Sequence, residues 1–417
     1  MGKKSENIFP MGQLDLTGYI KKAWTQGWLD EYSDEHFLIR AIENRVTNIE
    51  WKTQLIFNNA TSINSPINQG GEINFNDFSL NFIINLSSRL FGMSEAFGDD
   101  KIKIFVEHQL SAGKVKYDRD QFFQALSEIE ILSFFCSRCK WDNVIYEPPL
   151  GINGSNPEAR FEVKLHDLEQ SNQTDVKVNI EVKTPEFPII NDIRARTTIP
   201  AILLSNKGKN EIQKLCTANN SKCIFPRATK LVDFINNTAK KFKKPKENEY
   251  NLLYINWSYS DFPSNGFLEA WSLLTNEVNG ILTHPEIGIN LPFKNPICSE
   301  AYERITAVIV YTSSLEQLMF SDFRYAWQKS GQVGPRFRMF VLKKELREKK
   351  LANESDILFK ITGMNPDMPK PREWRLLSDH NWTEQTSWES KATDCKFDLD
   401  ALDIIDKNPF ILKIERD

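Results

Sequence analysis

Residues 159–185 read ARFEVKLHDLEQSNQTDVKVNIEVKTP, and they parse as two short strands joined by a polar turn. In the first, Phe161, Val163 and Leu165 alternate with Arg160, Glu162, Lys164 and His166. In the second, Val178, Ile180 and Val182 alternate with Asn179, Glu181 and Lys183. A period of two sends one set of side chains into a core and the other to the opposite sheet face. Glu181 and Lys183 therefore leave their strand on the same side, with Glu162 on the neighbouring strand expected beside them. Carboxylates with an ammonium next to them, fixed on a sheet, suit a divalent cation and the water it activates.

Upstream, residues 117–141 (YDRDQFFQALSEIEILSFFCSRCKW) form one long amphipathic helix. Phe122, Ala125, Leu126, Ile129, Leu132, Ser133 and Cys136 make its stripe at helical spacing. Residues 142–151 follow as a strand stopped by Pro148 and Pro149, with Glu147 at its end. Downstream, residues 229–244 are a helix burying Leu231, Phe234, Ile235 and Phe242. Residues 250–258 (YNLLYINWS) are a near-continuous apolar run, as in a central strand covered on both faces. A helix over 267–282, closed by Gly280, and a second apolar strand from Ile305 complete a strand, helix, strand order.

The tripeptide Glu181-Val182-Lys183 at the end of an apolar strand, with an acid on the preceding strand, resembles the PD-(D/E)XK nuclease superfamily. The resemblance spans roughly Tyr117 to Thr312, about half of the chain. It implies an α/β (mixed α+β) protein with a restriction-endonuclease-like core, a mixed central sheet flanked by helices. An N-terminal helical region and a C-terminal extension would complete it, with boundaries at 1–115, 116–315 and 316–417. The activity implied is Mg²⁺- or Mn²⁺-dependent hydrolysis of DNA phosphodiesters, in a prokaryotic restriction or phage-defence setting. A homodimer or a protein partner is implied as well. The alternative is a catalytically degenerate nuclease-fold protein that binds nucleic acid or a partner without cleaving.

Carried onto this chain, the resemblance makes Glu181 the central metal ligand and Lys183 the catalytic lysine, with the Val182 carbonyl as a further ligand. The family has an acid, commonly Asp after Pro, at the mouth of the second strand. Counting back along the alternation, Arg160 holds that place here, which suggests phosphate binding. Two acids can substitute. Glu162 lies on the same face one step further in, and Glu158, after Pro157, one step further out. Glu162 is preferred because its position within the strand is fixed. A third ligand from the first helix falls to Glu128 or Glu130, between which helical phase does not decide; Glu128 is carried forward. Glu147 is a reserve, and His166 shares the Glu162 face.

The formal charge is only −4, so nucleic-acid binding must come from a local patch. Residues 206–250 supply one, with eleven basic residues against four acidic ones. Lys230, Lys240, Lys241, Lys243 and Lys244 are the expected phosphate contacts. Cys136 and Cys139 have C-x-x-C spacing but lie in a predicted helix with no second pair, which argues against zinc. No Walker, G-x-G-x-x-G or G-x-S-x-G motif occurs, so nucleotide hydrolysis and serine-hydrolase chemistry have no support.

No apolar run approaches a membrane span, and the first residues lack a secretory h-region and a myristoylation pattern. A cytoplasmic protein is expected. In the N-terminal region, a helix is expected to start from Ser33-Asp34-Glu35 and run towards Asn48. Residues 59–77 read as loop, 78–93 as helix, and KIKIFVEHQL from Lys101 as a strand. At the other end, FRMFVLKKELREKK reads as a strand entering a charged helix, and NPFILKIERD as an added edge strand.

Overall fold

The expected hairpin supplies the second and third strands of a six-stranded mixed sheet flanked by helices. The computed structural model describes residues 9–11, 17–45, 75–113, 116–138, 140–151, 154–166, 173–185, 196–199, 221–224, 228–257, 270, 274, 281–282, 297–312, 336–342, 357–358, 361–362 and 412–416. In chain order its strands are β1 (Asn143–Tyr146), β2 (Ala159–His166), β3 (Gln173–Lys183), β4 (Arg196–Ile199), β5 (Ser221–Ile224), β6 (Glu249–Asn256), β7 (Ala307–Thr312), β8 (Arg336–Val341) and β9 (Leu412–Arg416). The large sheet runs β1-β2-β3-β6-β7-β8. β1, β2 and β3 pair antiparallel, whereas β3–β6 and β6–β7 pair parallel. A parallel neighbour requires a crossover, and between β3 and β6 that segment includes the helix Ala228–Lys241.

The helices are α1 (Gly18–Thr25), α2 (Phe37–Ile42), α3 (Phe75–Phe97), α4 (Asp99–Phe105), α5 (Arg119–Arg138), α6 (Ala228–Lys241) and α7 (Ser299–Arg304). α5 is the amphipathic helix expected at 117–141, and it buries Phe122, Ala125, Leu126, Ile129 and Leu132. Its Phe135 ring lies 5.4 Å from that of Phe161 on β2 and 5.9 Å from that of Tyr254 on β6. These contacts hold the apolar face of the hairpin, with Val178, Ile180 and Val182, under the helix. Every residue of β6 from Tyr250 to Asn256 is buried, as the continuous apolar run predicts. Full burial of each large apolar side chain contributes about 1.5–3 kcal/mol.

Chain contacts divide the protein into two compact units. The first is Met1–Ile189, Asn237–Leu268 and Glu303–Phe340; the second is Ile190–Asn236, Glu269–Tyr302 and Val341–Asp417. The N-terminal helices belong to the first unit rather than forming one of their own, because aromatic side chains tie them to α5 and β2. Phe37 and Phe82 pack on Phe122, and Phe97 at the end of α3 packs on Phe161. β8 joins the large sheet beside β7. In the second unit, β9 is the middle strand of a small antiparallel sheet between β4 and β5, not an edge strand.

Three local expectations are corrected. Residues 101–110 are helical, as the second half of α4 and a following π-helical turn at Val106–Leu110, not a strand. Ile102, Phe105, Val106 and Leu110 are buried while Ile104 is 48% exposed. That is helical phase, and the apparent Lys-Ile alternation was incidental. α2 begins at Phe37 with His36 as its N-cap, whose ring nitrogen Nδ1 accepts from the Leu38 amide at 3.0 Å. Ser33 instead closes a turn with Glu35. α3 starts at Phe75, inside the stretch expected to be loop. The charged helix expected after β8 and most of the helix expected at 267–282 lie outside the described residues.

Candidate functional site

The register of the β2–β3 hairpin decides which acid meets Glu181. Ala159 pairs with Ile180, Arg160 with Asn179 and Glu162 with Lys177. The Glu158 amide continues the ladder by donating to the Ile180 carbonyl at 2.9 Å, which brings Glu158 across from Glu181. Glu162 lies four residues away along β3, about 13 Å at the strand rise. There its carboxylate accepts from Asn143 Nδ2 at 3.0 Å and pairs with Lys177 Nζ at 3.3 Å. Burial would raise the Glu162 carboxyl, but Asn143, Lys177 and Arg160 outweigh it and hold the group below its ordinary value. The acid beside Glu181 is therefore Glu158, not Glu162. The alternation identifies the face correctly, but a slip of an even number of residues leaves the face pattern unchanged.

Glu181 is fully buried and Glu158 is 7% exposed. The parallel register with β6 sets Leu253 beside Glu181 and Ile255 beside Lys183, so the carboxylate is flanked by apolar residues on that side. Lys183 Nζ lies 2.5 Å from Glu181 Oε1. Lys241 Nζ lies 2.8 Å from the same oxygen and 3.4 Å from Glu158 Oε1. One ammonium thus reaches carboxylates from two adjacent strands. Glu181 Oε2 is buried without a hydrogen-bond partner among the described residues, and so is Glu128 Oε2.

The electrostatics follow from burial. Loss of water and then the Glu158 charge push Glu181 up to about 7, against the pull of Lys183 and Lys241. Glu128 is raised well above the ordinary carboxylate value, by burial and then by Glu158 and Glu181, again with both lysines opposing. Burial alone would depress Lys241, but Glu158 and Glu181 reverse this and hold its ammonium above the ordinary lysine range. Glu128, Glu158, Glu181, Lys183 and Lys241 therefore behave as one electrostatic cluster. Glu130 is buried elsewhere on α5, and its charge bears on Tyr311. Glu147 is exposed at the end of β1, with a left-handed φ of 46°.

Lys241 reaches the cluster because of its phase on α6. Leu231, Ile235, Thr238 and Phe242 form the buried stripe, and Lys241 stands three residues after Thr238, whereas Lys240 is turned outward. The helix end is then clamped to the sheet. Asn251 Nδ2 donates to the Lys243 carbonyl at 2.8 Å and to the Arg304 carbonyl at 2.6 Å. Arg304 in turn donates to the Ala239 carbonyl at 3.2 Å. Lys241, expected on the phosphate-binding surface, is instead a member of the carboxylate cluster. Its buried-stripe phase was the available signal.

The remaining candidates are separate from the cluster. Arg160 is engaged within the sheet: it donates to Asn179 Oδ1 at 2.7 Å and is paired with Glu249. Asn179 Nδ2 continues this polar row to Asn251 Oδ1 at 2.6 Å. Val182 is buried and pairs with Tyr254 in the ladder. Lys240, Lys243 and Lys244 are exposed around the end of α6, and Lys230 stands over the Phe234 ring. The backbone of His166 ends β2 opposite Gln173.

A divalent cation needs several oxygen ligands. Among the described residues, no three histidine, cysteine, aspartate or glutamate side chains stand close enough to form a ready cage. The donors that are present nevertheless suit a hard cation. Glu158 and Glu181 already converge on one positive group, and the buried Glu181 Oε2 and Glu128 Oε2 have no hydrogen-bond partner among the described residues. Carboxylate oxygens without sulfur or imidazole favour Mg²⁺ or Mn²⁺ over zinc. Cys136 is half-buried on α5, its thiol pushed up to about 12 by loss of water, as for an inert packing residue. No helix among the described residues is long and apolar enough to cross a membrane. Comparison of the chain with protein-family models, with curated proteins and with solved structures returned no match.

Proposed function

We propose that this protein is a metal-dependent nuclease of restriction-endonuclease-like fold, hydrolysing DNA phosphodiesters at the Glu158–Glu181–Lys183 cluster. The observation that carries this reading is the convergence of Glu158 and Glu181, from adjacent strands, on a single cationic group at 3.4 and 2.8 Å. The order Pro157-Glu158, then Glu181-Val182-Lys183, supports it: the acid after proline is the one that the register sets against Glu181. Glu158 and Glu181 would hold Mg²⁺ or Mn²⁺, with the buried Glu128 carboxyl on α5 as a further oxygen donor.

The metal would supply Lewis acidity and a water of lowered pKa. Lys183, projecting from the same strand as Glu181 and partly open to solvent, is placed to stabilise charge developing on the phosphate. Leu253 and Ile255 exclude water from one flank of the site. Exposed Lys240, Lys243 and Lys244 supply the backbone-binding surface. Arg160, spent on Asn179 and Glu249, holds the sheet rather than the substrate.

A second reading has one observation in its favour. Lys241 already neutralises the carboxylate pair, as it would in a nuclease-fold protein that binds without cutting. Incubation with supercoiled plasmid, single-stranded DNA and RNA in Mg²⁺ or Mn²⁺ separates the two. Cleavage that is lost in Glu181→Ala and Lys183→Ala supports the nuclease. Salt-sensitive binding with no cleavage of any substrate supports the second reading.

A further inference from the structure

Lys241 occupies an unusual place for a lysine. It lies in the last turn of α6 beside exposed Lys240, and its side chain is only 19% exposed, turned onto two carboxylates. Without it, Glu158 and Glu181 would face each other across adjacent strands with Lys183 as the one remaining ammonium in contact with the pair among the described residues. Removing one partner from a buried charged group is strongly unfavourable, so the metal-free fold depends on this ammonium. Yet it satisfies the site incompletely: it touches one oxygen of each carboxylate, and Glu181 Oε2 is left buried without a hydrogen-bond partner among the described residues.

The two lysines differ in how they are held. Lys183 projects from β3 itself and, among the described residues, is ion-paired with Glu181 and not with Glu158. Lys241 bridges both acids from a helix end, and its flexible four-carbon stem can swing without moving the backbone. Its neighbours Lys240 and Lys243 show that solvent lies close to this turn. We propose that the Lys241 ammonium is a displaceable counter-cation: it holds Glu158 and Glu181 together in the metal-free protein and leaves when a divalent cation binds between them. This rests on the divalent site proposed above and adds its regulation. Once released, the charge joins Lys240, Lys243 and Lys244, so metal binding strengthens the surface offered to phosphate. By linkage, bound polyanion then strengthens metal binding.

The test uses the full chain, Mn²⁺ as the probe, and acylation of lysine amines read by mass spectrometry. Mn²⁺ binding is titrated in the wild type, Lys241→Gln and Glu181→Gln. The expected result is Mn²⁺ binding that Glu181→Gln abolishes, with Lys241 acylation rising about tenfold at saturation while Lys240 stays constant. Lys241→Gln should bind Mn²⁺ about tenfold more tightly than the wild type. The acylation arm stands even where that variant fails to fold. Glu181-dependent Mn²⁺ binding with unchanged Lys241 acylation would overturn the displacement and leave the divalent site standing. Binding by Lys241→Gln but not by the wild type would make Lys241 a permanent occupant, which also overturns it. No Mn²⁺ binding by either protein would remove the divalent site and the proposal together.

Discussion

Glu158 and Glu181 face each other across adjacent antiparallel strands, and a single ammonium, that of Lys241, reaches both at 3.4 and 2.8 Å. Neither acid would be placed this way by its own strand alone. The hairpin register sets the pair, and the β6 register supplies the apolar flank that keeps Glu181 from water.

Glu181 makes stability depend on pH in a defined direction. Its folded value of about 7 lies above the ordinary 4.5, so the folded protein binds this proton more tightly than the unfolded chain. The contribution is fully present below 4.5 and is lost as pH rises through about 7. Urea midpoints in metal-free buffer should fall between pH ~5 and pH ~8, and Glu181→Gln should flatten that part of the slope. Mn²⁺ added at the higher pH should restore the wild-type midpoint while leaving that of Glu181→Gln unchanged.

Asn251 is a positioning residue for the helix that carries Lys241. Its side chain accepts from Asn179 and donates to the Lys243 and Arg304 carbonyls. Asn251→Ala removes three bonds and strands two part-buried carbonyls, a loss of about 1–3 kcal/mol. Urea denaturation measures that loss. Lys241 acylation in the metal-free protein should also rise, because the helix end is released.

His36 is both cap and core. Nδ1 accepts from the Leu38 amide, so the ring proton sits on Nε2 and is donated to the Leu110 carbonyl at 2.9 Å. The ring packs among Tyr32, Tyr117 and Phe122. Thermal unfolding should show His36→Ala destabilised by about 2–4 kcal/mol. His36→Asn should recover about 1 kcal/mol of that, since it restores the cap but not the ring.

Side-chain periodicity in the sequence was enough to find β2, β3, β6, β7 and α5, because each has one face or all faces committed to the core. Periodicity cannot fix register. Residues 167–172 are polar apart from Leu168 and carry no turn signal that sets the pairing, so Glu158 and Glu162 were equally compatible with the face pattern. The helix at residues 101–110 was misread for a related reason: Ile102 and Ile104 mimic a strand, and only tertiary packing reveals that Ile104 is outside. Lys241 was legible in kind but not in role. A lysine-rich helix end reads as surface until the buried stripe through Thr238 and Phe242 is traced to it.

Magnesium-dependent cleavage of plasmid by Glu158→Gln and Glu162→Gln, side by side with the wild type, bears most directly on the arrangement proposed for the site. Glu162 is tied to Asn143 and Lys177, away from Glu181, so its variant should cut within about threefold of the wild-type rate. Glu158→Gln should lose activity by about 10²–10⁴, as expected when a group that stabilises the transition state is removed. Cleavage that survives in Glu158→Gln but vanishes in Glu162→Gln, or a wild type that cuts with neither Mg²⁺ nor Mn²⁺, would contradict the account.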